Sequence, residues 1–210
     1  MMWSWISSNE GMIWQETYET AYLGVVSALI GLVISLPLGI VAARWRWVRP
    51  PVLTIVNVIY AIPALALFIA LIPSLGLTDT NVIVALTAYS LCVITPNVAA
   101  GIRAVPPAVR QAATAMGYGP LRRLVTVELP LAIPVIIAGL RVAVVSGISL
   151  TSLGQLIGVS SLGFLFIDGL QRSFPTEIWV GLVLVIVLAL VCDLVLIGIR
   201  RALTPWASRA

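Results

Sequence analysis

Long apolar stretches, separated by short polar segments, dominate the pattern along the chain. Three of them contain no charged residue: Ala21 to Ala43, Pro50 to Thr78 and Thr80 to Gly101. Each exceeds the roughly 20 apolar residues that a helix needs to cross a hydrocarbon core of about 30 Å. With two further apolar stretches, they predict an all-α integral membrane protein whose residues 1–210 form a single transmembrane domain. Five transmembrane helices are predicted, at about 20–43, 51–73, 80–101, 131–151 and 177–199.

Composition agrees with a membrane protein and excludes several other classes. Only 10% of the 210 residues are charged and 60% are hydrophobic, whereas soluble domains contain about 25% charged residues. The chain has no histidine, and its two cysteines, Cys92 and Cys192, lie a hundred residues apart in apolar stretches. We interpret them as small buried hydrophobic residues and expect no metal site. The net charge of +4 does not indicate a nucleic-acid partner, because the arginines are dispersed between the predicted spans.

The distribution of charge predicts the orientation in the membrane. All 12 basic residues are arginines. If the N-terminus lies outside, ten of them fall on the inner side and only Arg172 falls on the outer side. Because basic residues accumulate on the cytoplasmic side of membrane proteins, we expect an outer N-terminus and an inner C-terminus. Tryptophans are expected at the headgroup level near the ends of spans. The tryptophans in such positions are Trp14, Trp45, Trp47, Trp179 and Trp206.

Two spans carry a small residue at every fourth position, which favours close approach of helix backbones where lipid supplies no hydrophobic driving force. The ladders are Ser27, Gly31, Ser35 and Gly39 in the first span, and Gly139, Ala143, Gly147 and Thr151 in the fourth. The spacing leaves open whether the helix that packs there belongs to the same chain or to a second copy. The fifth span is more uniformly aliphatic, so we expect more of its surface to face lipid.

Prolines inside the spans remove backbone donors and bend helices, which suggests that the helices surround a cavity. Polar or helix-breaking residues at membrane depth are candidates for lining a translocation path, with helix packing as the alternative for each. These candidates are Pro63, Thr95, Pro96, Asn97, Ser146 and Ser149. Besides Phe68, only Tyr60 and Tyr89 are aromatic residues near mid-membrane. The sequence predicts no aromatic cage for a quaternary ammonium group.

Arg141 and Asp193 are the two ionisable residues well inside predicted spans. A charge at the bilayer centre costs about 2.5–3.5 kcal/mol on insertion scales, so such residues pair or face a cavity. Counted from the inner ends of their spans, they lie at depths of roughly 15 and 10 Å. This similar depth predicts an intramembrane ion pair that braces spans four and five. The alternative is that Arg141 extends to the inner interface instead.

The segment 102–130 between spans three and four is polar but has helical features. Pro106 and Pro107 suit the first turn of a helix, where a missing backbone donor has no consequence. Apolar residues then recur at helical spacing from Val109 to Met116. Gly117 suits the left-handed residue that ends such a helix.

A second short helix is predicted at 121–127, ended by the Leu129-Pro130 step that begins the fourth span. The two helices would form a platform whose exposed face is basic. Its basic residues are Arg110, Arg122 and Arg123. A solvated loop is the alternative, but it would not need helices with apolar faces, which are unfavourable unless a partner covers them. We therefore favour a docking surface for another protein.

The same segment resembles the EAA loop of ATP-binding-cassette (ABC) importer permeases. Residues 111–117, "QAATAMG", are followed after nine residues by "VELP". The family pattern is an acidic residue, two alanines, three variable residues, glycine, nine residues and Ile-x-Leu-Pro. The matching positions are Ala112, Ala113, Gly117, Leu129 and Pro130. Gln111 stands where the family has glutamate, so the contact of that carboxylate must be neutral or absent here, and Val127 conservatively replaces isoleucine.

The resemblance extends over the whole chain. The segments "SLPLGIVAAR", "AIPALALFIALIPSLGL" and "VELPLAIPVIIAGLR" are similar to those of short permeases from osmoprotectant uptake systems, in the same order. Such systems import glycine betaine, carnitine, choline or related quaternary amines. One departure is "IGVSSLG", where the family has "IGAGGLG". The resemblance implies a type I ABC importer fold, like that of methionine permeases, in the bacterial cytoplasmic (inner) membrane.

The resemblance also implies partners. These are a second permease copy in a homodimer or heterodimer, separate ABC ATPase subunits and an extracytoplasmic substrate-binding protein. The chain has no phosphate-binding loop of the Gly-x-x-x-x-Gly-Lys-Ser/Thr type, so ATP and magnesium would be bound by the ATPase, and the chain itself is not expected to be an enzyme. The residues expected to couple to the ATPase are Arg110, Gln111, Ala112, Ala113, Met116, Gly117, Arg122, Leu129 and Pro130.

Two other interpretations remain. An amino-acid or methionine-type ABC import permease would share the fold. A channel or proton-coupled secondary transporter is less favoured, because it gives no role to the segment 102–130. Residues 152–176 are too interrupted by glycine, serine and aspartate for a full span. We expect them to form a short helix at the outer surface, with a plain loop as the alternative.

Overall fold

The computed structural model describes the backbone of residues 2–205 and the side chains of residues 5–205. Trp206 and Arg209, which the sequence analysis places on the inner side, lie outside this range. The described chain is almost entirely helical. Its α-helices are α1 Met2–Ser8, α2 Glu10–Arg44, α3 Arg49–Ala61, α4 Ala64–Leu75, α5 Asp79–Ala104, α6 Pro107–Ala115, α7 Pro120–Arg123, α8 Leu129–Thr151, α9 Gly163–Gln171 and α10 Pro175–Leu203. A π-helical turn, Leu124–Glu128, joins α7 to α8, and a 3₁₀-helix, Ser152–Ile157, follows α8.

Helices α2, α5 and α8 pack closely at the centre of the bundle. All eight residues of the two small-residue ladders are buried. A Cβ atom added to Gly39 would lie 2.5 Å from Cβ of Val98, and one added to Gly139 would lie 2.7 Å from Cβ of Asn97. The ladders therefore allow α2 and α8 to approach α5 of the same chain, which confirms the predicted close packing and identifies these contacts as internal.

The predicted span 51–73 is not one helix. It consists of α3 and α4, which meet at an angle of 95°. Ile62 and Pro63 between them have extended backbone, with ψ of 128° and 133°. Proline lacks a backbone donor and disfavours helical geometry in the residue before it, so the helix ends here. Among residues 2–205, four helices are long and apolar enough to cross a membrane by themselves, and the bent pair would be a fifth crossing.

The break predicted at Leu129-Pro130 is wrong. Helix runs without interruption from Pro120 to Ile157, over 38 residues. In the π-helical turn, the amide of Leu129 donates to the carbonyl of Leu124, one residue further back than in an α-helix. This wider turn relieves the clash between a proline ring and the preceding turn. Pro130 is thereby accommodated in the first turn of α8.

The two ends of the bundle differ. The platform of α6 and α7 lies at one end, which we call the coupling side. The 3₁₀-helix and α9 lie at the opposite end of α8, so the short helix predicted in 152–176 is confirmed. Helix α10 packs on α8 and α9, but its most apolar 18-residue stretch contains no buried residue, as expected for a helix that faces lipid.

Candidate coupling site and translocation path

Helix α6 and the turn after it build the exposed part of the coupling platform. Pro106 and Pro107 begin α6, and Gly117 follows its end with a φ of +84°, a conformation that glycine adopts without strain. Ala113 is 1% exposed and anchors the helix, whereas Gln111 and Ala112 are exposed. The EAA-like residues thus divide into one buried contact and a surface free to meet a partner.

The platform exposes three large apolar side chains. Met116, Leu121 and Val125 are 69%, 73% and 55% exposed. Met116 follows the end of α6, Leu121 lies in α7 and Val125 lies in the π-helical turn, so each part of the platform exposes one large apolar side chain. Leu129 and Pro130, by contrast, are half-buried at the start of α8. Apolar side chains exposed together at the end of a bundle, beside cationic groups, are typical of a protein-docking surface.

The three platform arginines have different surroundings. Arg110 does not lie on the exposed basic face to which the sequence analysis assigned it. Its Nη2 donates to the carbonyls of Arg103 and Val105 at 3.1 and 2.8 Å, so it caps the end of α5 instead of forming part of a basic exposed face. The unpaired carbonyls at a helix C-terminus attract a cation. Arg122 is exposed and lies 4.4 Å from the centroid of the Tyr118 ring.

Glu128 ties the platform to the bundle, a role that the sequence analysis did not predict. Its side chain is only 4% exposed. Arg123 Nε donates to it at 2.8 Å, and Arg44 Nη2, at the end of α2, lies 3.9 Å away. Arg44 also donates to the carbonyl of Pro120 at 3.1 Å. This Arg44–Glu128–Arg123 cluster links α2, α7 and the π-helical turn that leads into α8, and it gives the acidic residue inside "VELP" a structural role.

Arg141 and Asp193, the expected intramembrane pair, meet between α8 and α10. Arg141 Nε donates to Asp193 Oδ1 at 2.6 Å, and Nη2 donates to Oδ2 at 2.7 Å. The side chains are 27% and 23% exposed, because the pair lines a groove of about 650 Å³. The groove is otherwise mainly apolar, and Ser146 also lines it.

The candidate path residues separate into two groups. Ser146 and Ser149 are exposed on α8, and Pro63 is exposed at the α3–α4 break. Thr95 is fully buried and donates to Ser35 Oγ at 3.0 Å, so its hydroxyl belongs to the packing of α5 on α2, and it lines no path within this chain. Pro96 and Asn97 are half-buried in α5, and Asn97 Nδ2 donates to the Val93 carbonyl at 2.8 Å.

A recess beside the break contains two aromatic residues that the sequence could not place together. Tyr60, 62% exposed, meets the buried Tyr89 edge to face with ring centroids 6.2 Å apart. The Tyr89 hydroxyl donates to the carbonyl of Ile62, which the break leaves without a helical partner. Ser146 lines this recess as well as the Arg141–Asp193 groove. The only signal in the sequence was that two tyrosines lie at membrane depth.

Charged residues also join α9 to α10 at the end opposite the platform. Arg172 donates to Asp168 at 2.7 Å and lies 3.6 Å from the buried Glu177. The hydrogen bond that it donates to Asp168 raises the pKa of Arg172 above its ordinary value.

Within residues 2–205, no group of three or more cysteine and acidic side chains is arranged to hold a metal ion.

Known proteins resemble this chain along nearly its whole length. Residues 35–209 match the family described as "Binding-protein-dependent transport system inner membrane component". The glycine betaine/carnitine/choline transport system permease protein OpuCD of Bacillus subtilis is 36% identical, over 96% of this chain and 89% of the relative. The osmoprotectant import permease protein OsmW of Salmonella typhimurium is 32% identical, over 96% of each chain.

Solved structures agree with these relatives. A chain of the MetNI methionine ABC transporter in an inward-facing conformation matches with a TM-score of 0.81 and 26% identity, over 93% of this chain and 99% of that one. The all-helical bundle therefore has the fold of a known ABC permease. The chain belongs to the family of binding-protein-dependent transport system inner membrane components.

Proposed function

We propose that this chain is the permease subunit of an ABC importer that moves osmoprotectants of the quaternary-amine class, such as glycine betaine, carnitine and choline, into the cell. The names of the relatives at 32–36% identity support this substrate class. The transporter would contain two permease chains, separate ATPase subunits that bind ATP and magnesium, and an extracytoplasmic binding protein. The coupling side would face the cytoplasm.

The observation that carries the proposal is the uninterrupted helix from the platform to the opposite end of the bundle. Its 38 residues span about 57 Å at 1.5 Å per residue. A break at Pro130 would have let the platform move independently of the membrane part. A continuous helix instead makes any displacement of α7 a displacement of α8 and of Ser146 and Ser149 on it.

The platform supplies the contacts that an ATPase would use. Met116, Leu121 and Val125 offer an apolar surface, and Arg122 beside them offers a positive charge. Gln111 is exposed where related permeases have glutamate, so its contact with the ATPase would be a neutral hydrogen bond. The Arg44–Glu128–Arg123 cluster would pass a movement of the platform to α2 as well as to α8.

The translocation path would follow the exposed face of α8 past the α3–α4 break. Ser146 and Ser149 offer hydroxyl groups, and the Tyr60–Tyr89 recess offers aromatic rings whose faces attract cations such as trimethylammonium. Among residues 5–205, no charged residue lines the recess, so attraction for a cation would be weak. Weak binding suits a path, because a solute must leave it as readily as it enters.

Reconstitution tests the proposal. The permease, its ATPase and its binding protein are placed in liposomes with ATP on the ATPase side, and uptake of labelled glycine betaine, carnitine, choline and methionine is measured. We expect uptake of at least one quaternary amine, dependent on ATP and on the binding protein, and no uptake with a hydrolysis-deficient ATPase. Methionine uptake alone would favour the methionine-type alternative. Uptake without ATP would overturn the importer in favour of a channel or secondary transporter.

A further inference from the structure

A pocket rich in arginine lies on the coupling side, next to the coupling platform and apart from the proposed path. It is formed where α2 ends, α3 begins and α5 ends, and its volume is about 640 Å³. The cationic residues that line it are Arg44, Arg46, Arg49 and Arg103, and the remaining lining residues are Ala42, Ala43, Trp47, Pro50 and Leu53. The lining therefore combines four cationic side chains with apolar ones.

The positive charge of this pocket is not neutralised by the described part of the chain. Arg44 is engaged with Glu128 and with the carbonyl of Pro120. Among residues 5–205, Arg46, Arg49 and Arg103 form no ion pair, and their guanidinium groups donate no hydrogen bond. Three such cations around one pocket repel one another unless an anion joins them. Within residues 5–205, these three arginines of the pocket thus lack a counter-charge.

The surroundings indicate which anion would fit. Trp47 at the rim is 89% exposed, and tryptophan prefers the headgroup layer of a membrane. Guanidinium groups bind phosphate oxygens through paired hydrogen bonds. Ala43 and Leu53, which are half-buried in the pocket lining, would contact the start of an acyl chain next to the phosphate. Basic pockets between helices at the membrane surface have these features where they bind lipid headgroups.

We propose that this pocket binds the phosphodiester headgroup of an anionic phospholipid. Arg46 and Arg103 are exposed, whereas Arg49 is half-buried at the start of α3. Arg46 and Arg103 would therefore hold the phosphate from the rim, and Arg49 would hold it from below. Since Arg44 connects the pocket to Glu128 and Pro120, a bound lipid would lie directly beside the platform.

Lipid retention by the assembled transporter tests the proposal. The complex is purified in mild detergent, and the binding of added phosphatidylglycerol and phosphatidylcholine is compared by native mass spectrometry. Each arginine near an anionic lipid contributes about fivefold in affinity. We therefore expect the R46Q/R103Q variant to bind phosphatidylglycerol about 25-fold more weakly, with phosphatidylcholine binding unchanged. Equal binding by the variant and the unchanged protein would overturn the site.

Matched variants separate the pocket from a general effect of charge. The control is R200Q/R201Q, which removes two arginines from the coupling-side end of α10, outside the pocket. We expect it to keep full affinity, and an equal loss in both double variants would reject a specific pocket. R46K/R103K retains the charges and should lose less than R46Q/R103Q. Arg46→Gln alone, in an exposed turn, is expected to weaken binding about fivefold, should the double variant fail to fold.

Two further measurements distinguish a phospholipid headgroup from a free phosphate anion as the occupant of the pocket. Inorganic phosphate and glycerophosphoglycerol are titrated as competitors at millimolar concentration. Retention of lipid against both supports an anchored phospholipid. Displacement of lipid by inorganic phosphate would instead identify a site for a free anion. Lipid binding by the permease alone that is lost once the ATPase is attached would show that the ATPase covers the pocket, and would overturn the proposal.

Discussion

Arg141 and Asp193 form a two-hydrogen-bond ion pair that joins α8 to α10 at membrane depth, with donor–acceptor distances of 2.6 and 2.7 Å. The neighbouring residues of α10 are mainly aliphatic, so the pair is the principal polar contact of this stretch with the bundle. We expect Arg141→Gln or Asp193→Asn alone to destabilise the transporter by up to about 3 kcal/mol, because the partner is left as an unpaired charge. Thermal unfolding of the purified complex measures this loss.

The double variant R141Q/D193N provides the decisive comparison. It removes both charges, so we expect it to be less destabilised than the sum of the two single variants. Losses that simply add would mean that the two residues act independently, for example with Arg141 extending to the headgroup layer. Transport by the stable double variant then reports whether the pair has any role beyond bracing the helices.

Glu128 is buried between two arginines, and its removal should uncouple the platform from α2 without unfolding the bundle. Glu128→Gln leaves Arg123 and Arg44 without their carboxylate. We expect ATPase activity to become less responsive to the substrate-loaded binding protein, because the platform no longer moves with α2. Glu10→Gln, the same change at an exposed position on α2, is the control and should leave the response unchanged. Identical responses in both variants would remove Glu128 from the coupling machinery.

Close packing of α2 on α5 predicts that two glycine-to-alanine substitutions differ in their effect on stability. A Cβ added to Gly39 would lie 2.5 Å from the Cβ and Cγ1 atoms of Val98, whereas one added to Gly198 would meet no atom within 4 Å. Gly39→Ala should destabilise the protein by about 1–3 kcal/mol through overpacking. Gly198→Ala should be neutral or slightly stabilising, because alanine favours helix. Thermal unfolding compares the two, and equal melting temperatures would argue against the close contact.

The sequence was sufficient to predict those features of the fold that a local pattern determines. The ladder of Gly31 and Gly39 predicted a close helix contact, and the spacing of Gly117 after α6 predicted its end. Both depend on chemistry within a few residues: the absence of a side chain, or the freedom of glycine to adopt a positive φ. Arg141 and Asp193 could be related because depth in a membrane follows from counting residues along a helix.

The sequence was not sufficient to predict contacts between residues that come from several different helices. Arg44 and Glu128 are 84 positions apart, and only the crossing of α2 with α8 brings them together. Arg110 was assigned to an exposed face because its role as a cap depends on how α6 folds back on α5. The continuation of helix through Pro130 required a π-helical turn, which no local pattern indicated. Thr95 is a polar residue at the depth expected of a path-lining residue. Its depth alone could not show whether its side chain packs between helices or lines the translocation path.

The left-handed backbone at Gly117 predicts that alanine is less well tolerated there than at Gly119. A Cβ added to Gly117 or to Gly119 would meet no atom within 4 Å, but φ is +84° at Gly117 and −65° at Gly119. Gly117→Ala should therefore cost about 1 kcal/mol through backbone strain alone, and Gly119→Ala should be tolerated. Because the strain would fray α6, we expect weaker binding of the ATPase to Gly117→Ala, measured by co-purification. Equal retention by both variants would contradict this.

Tyr60 predicts how the proposed path selects its solute. Its ring is 62% exposed beside Tyr89, and a cation over an aromatic face gains about 0.5–2 kcal/mol. Tyr60→Leu should therefore raise the KM for uptake of a quaternary amine by about 2- to 30-fold, whereas Tyr60→Phe should retain most of the affinity. Uptake kinetics in proteoliposomes measure both.

The control for this prediction is Tyr22→Leu, which removes an exposed ring on α2 that stacks on Tyr18 away from the recess. A general effect of losing a membrane-facing tyrosine would appear in both variants equally, and the recess would then have no part in selection. An effect confined to Tyr60 could still be structural, so phenylalanine with increasing numbers of ring fluorines is introduced at the same position. Fluorine weakens the negative face of the ring but hardly changes its shape, so a stepwise rise in KM would identify attraction between the ring and the cation as the cause.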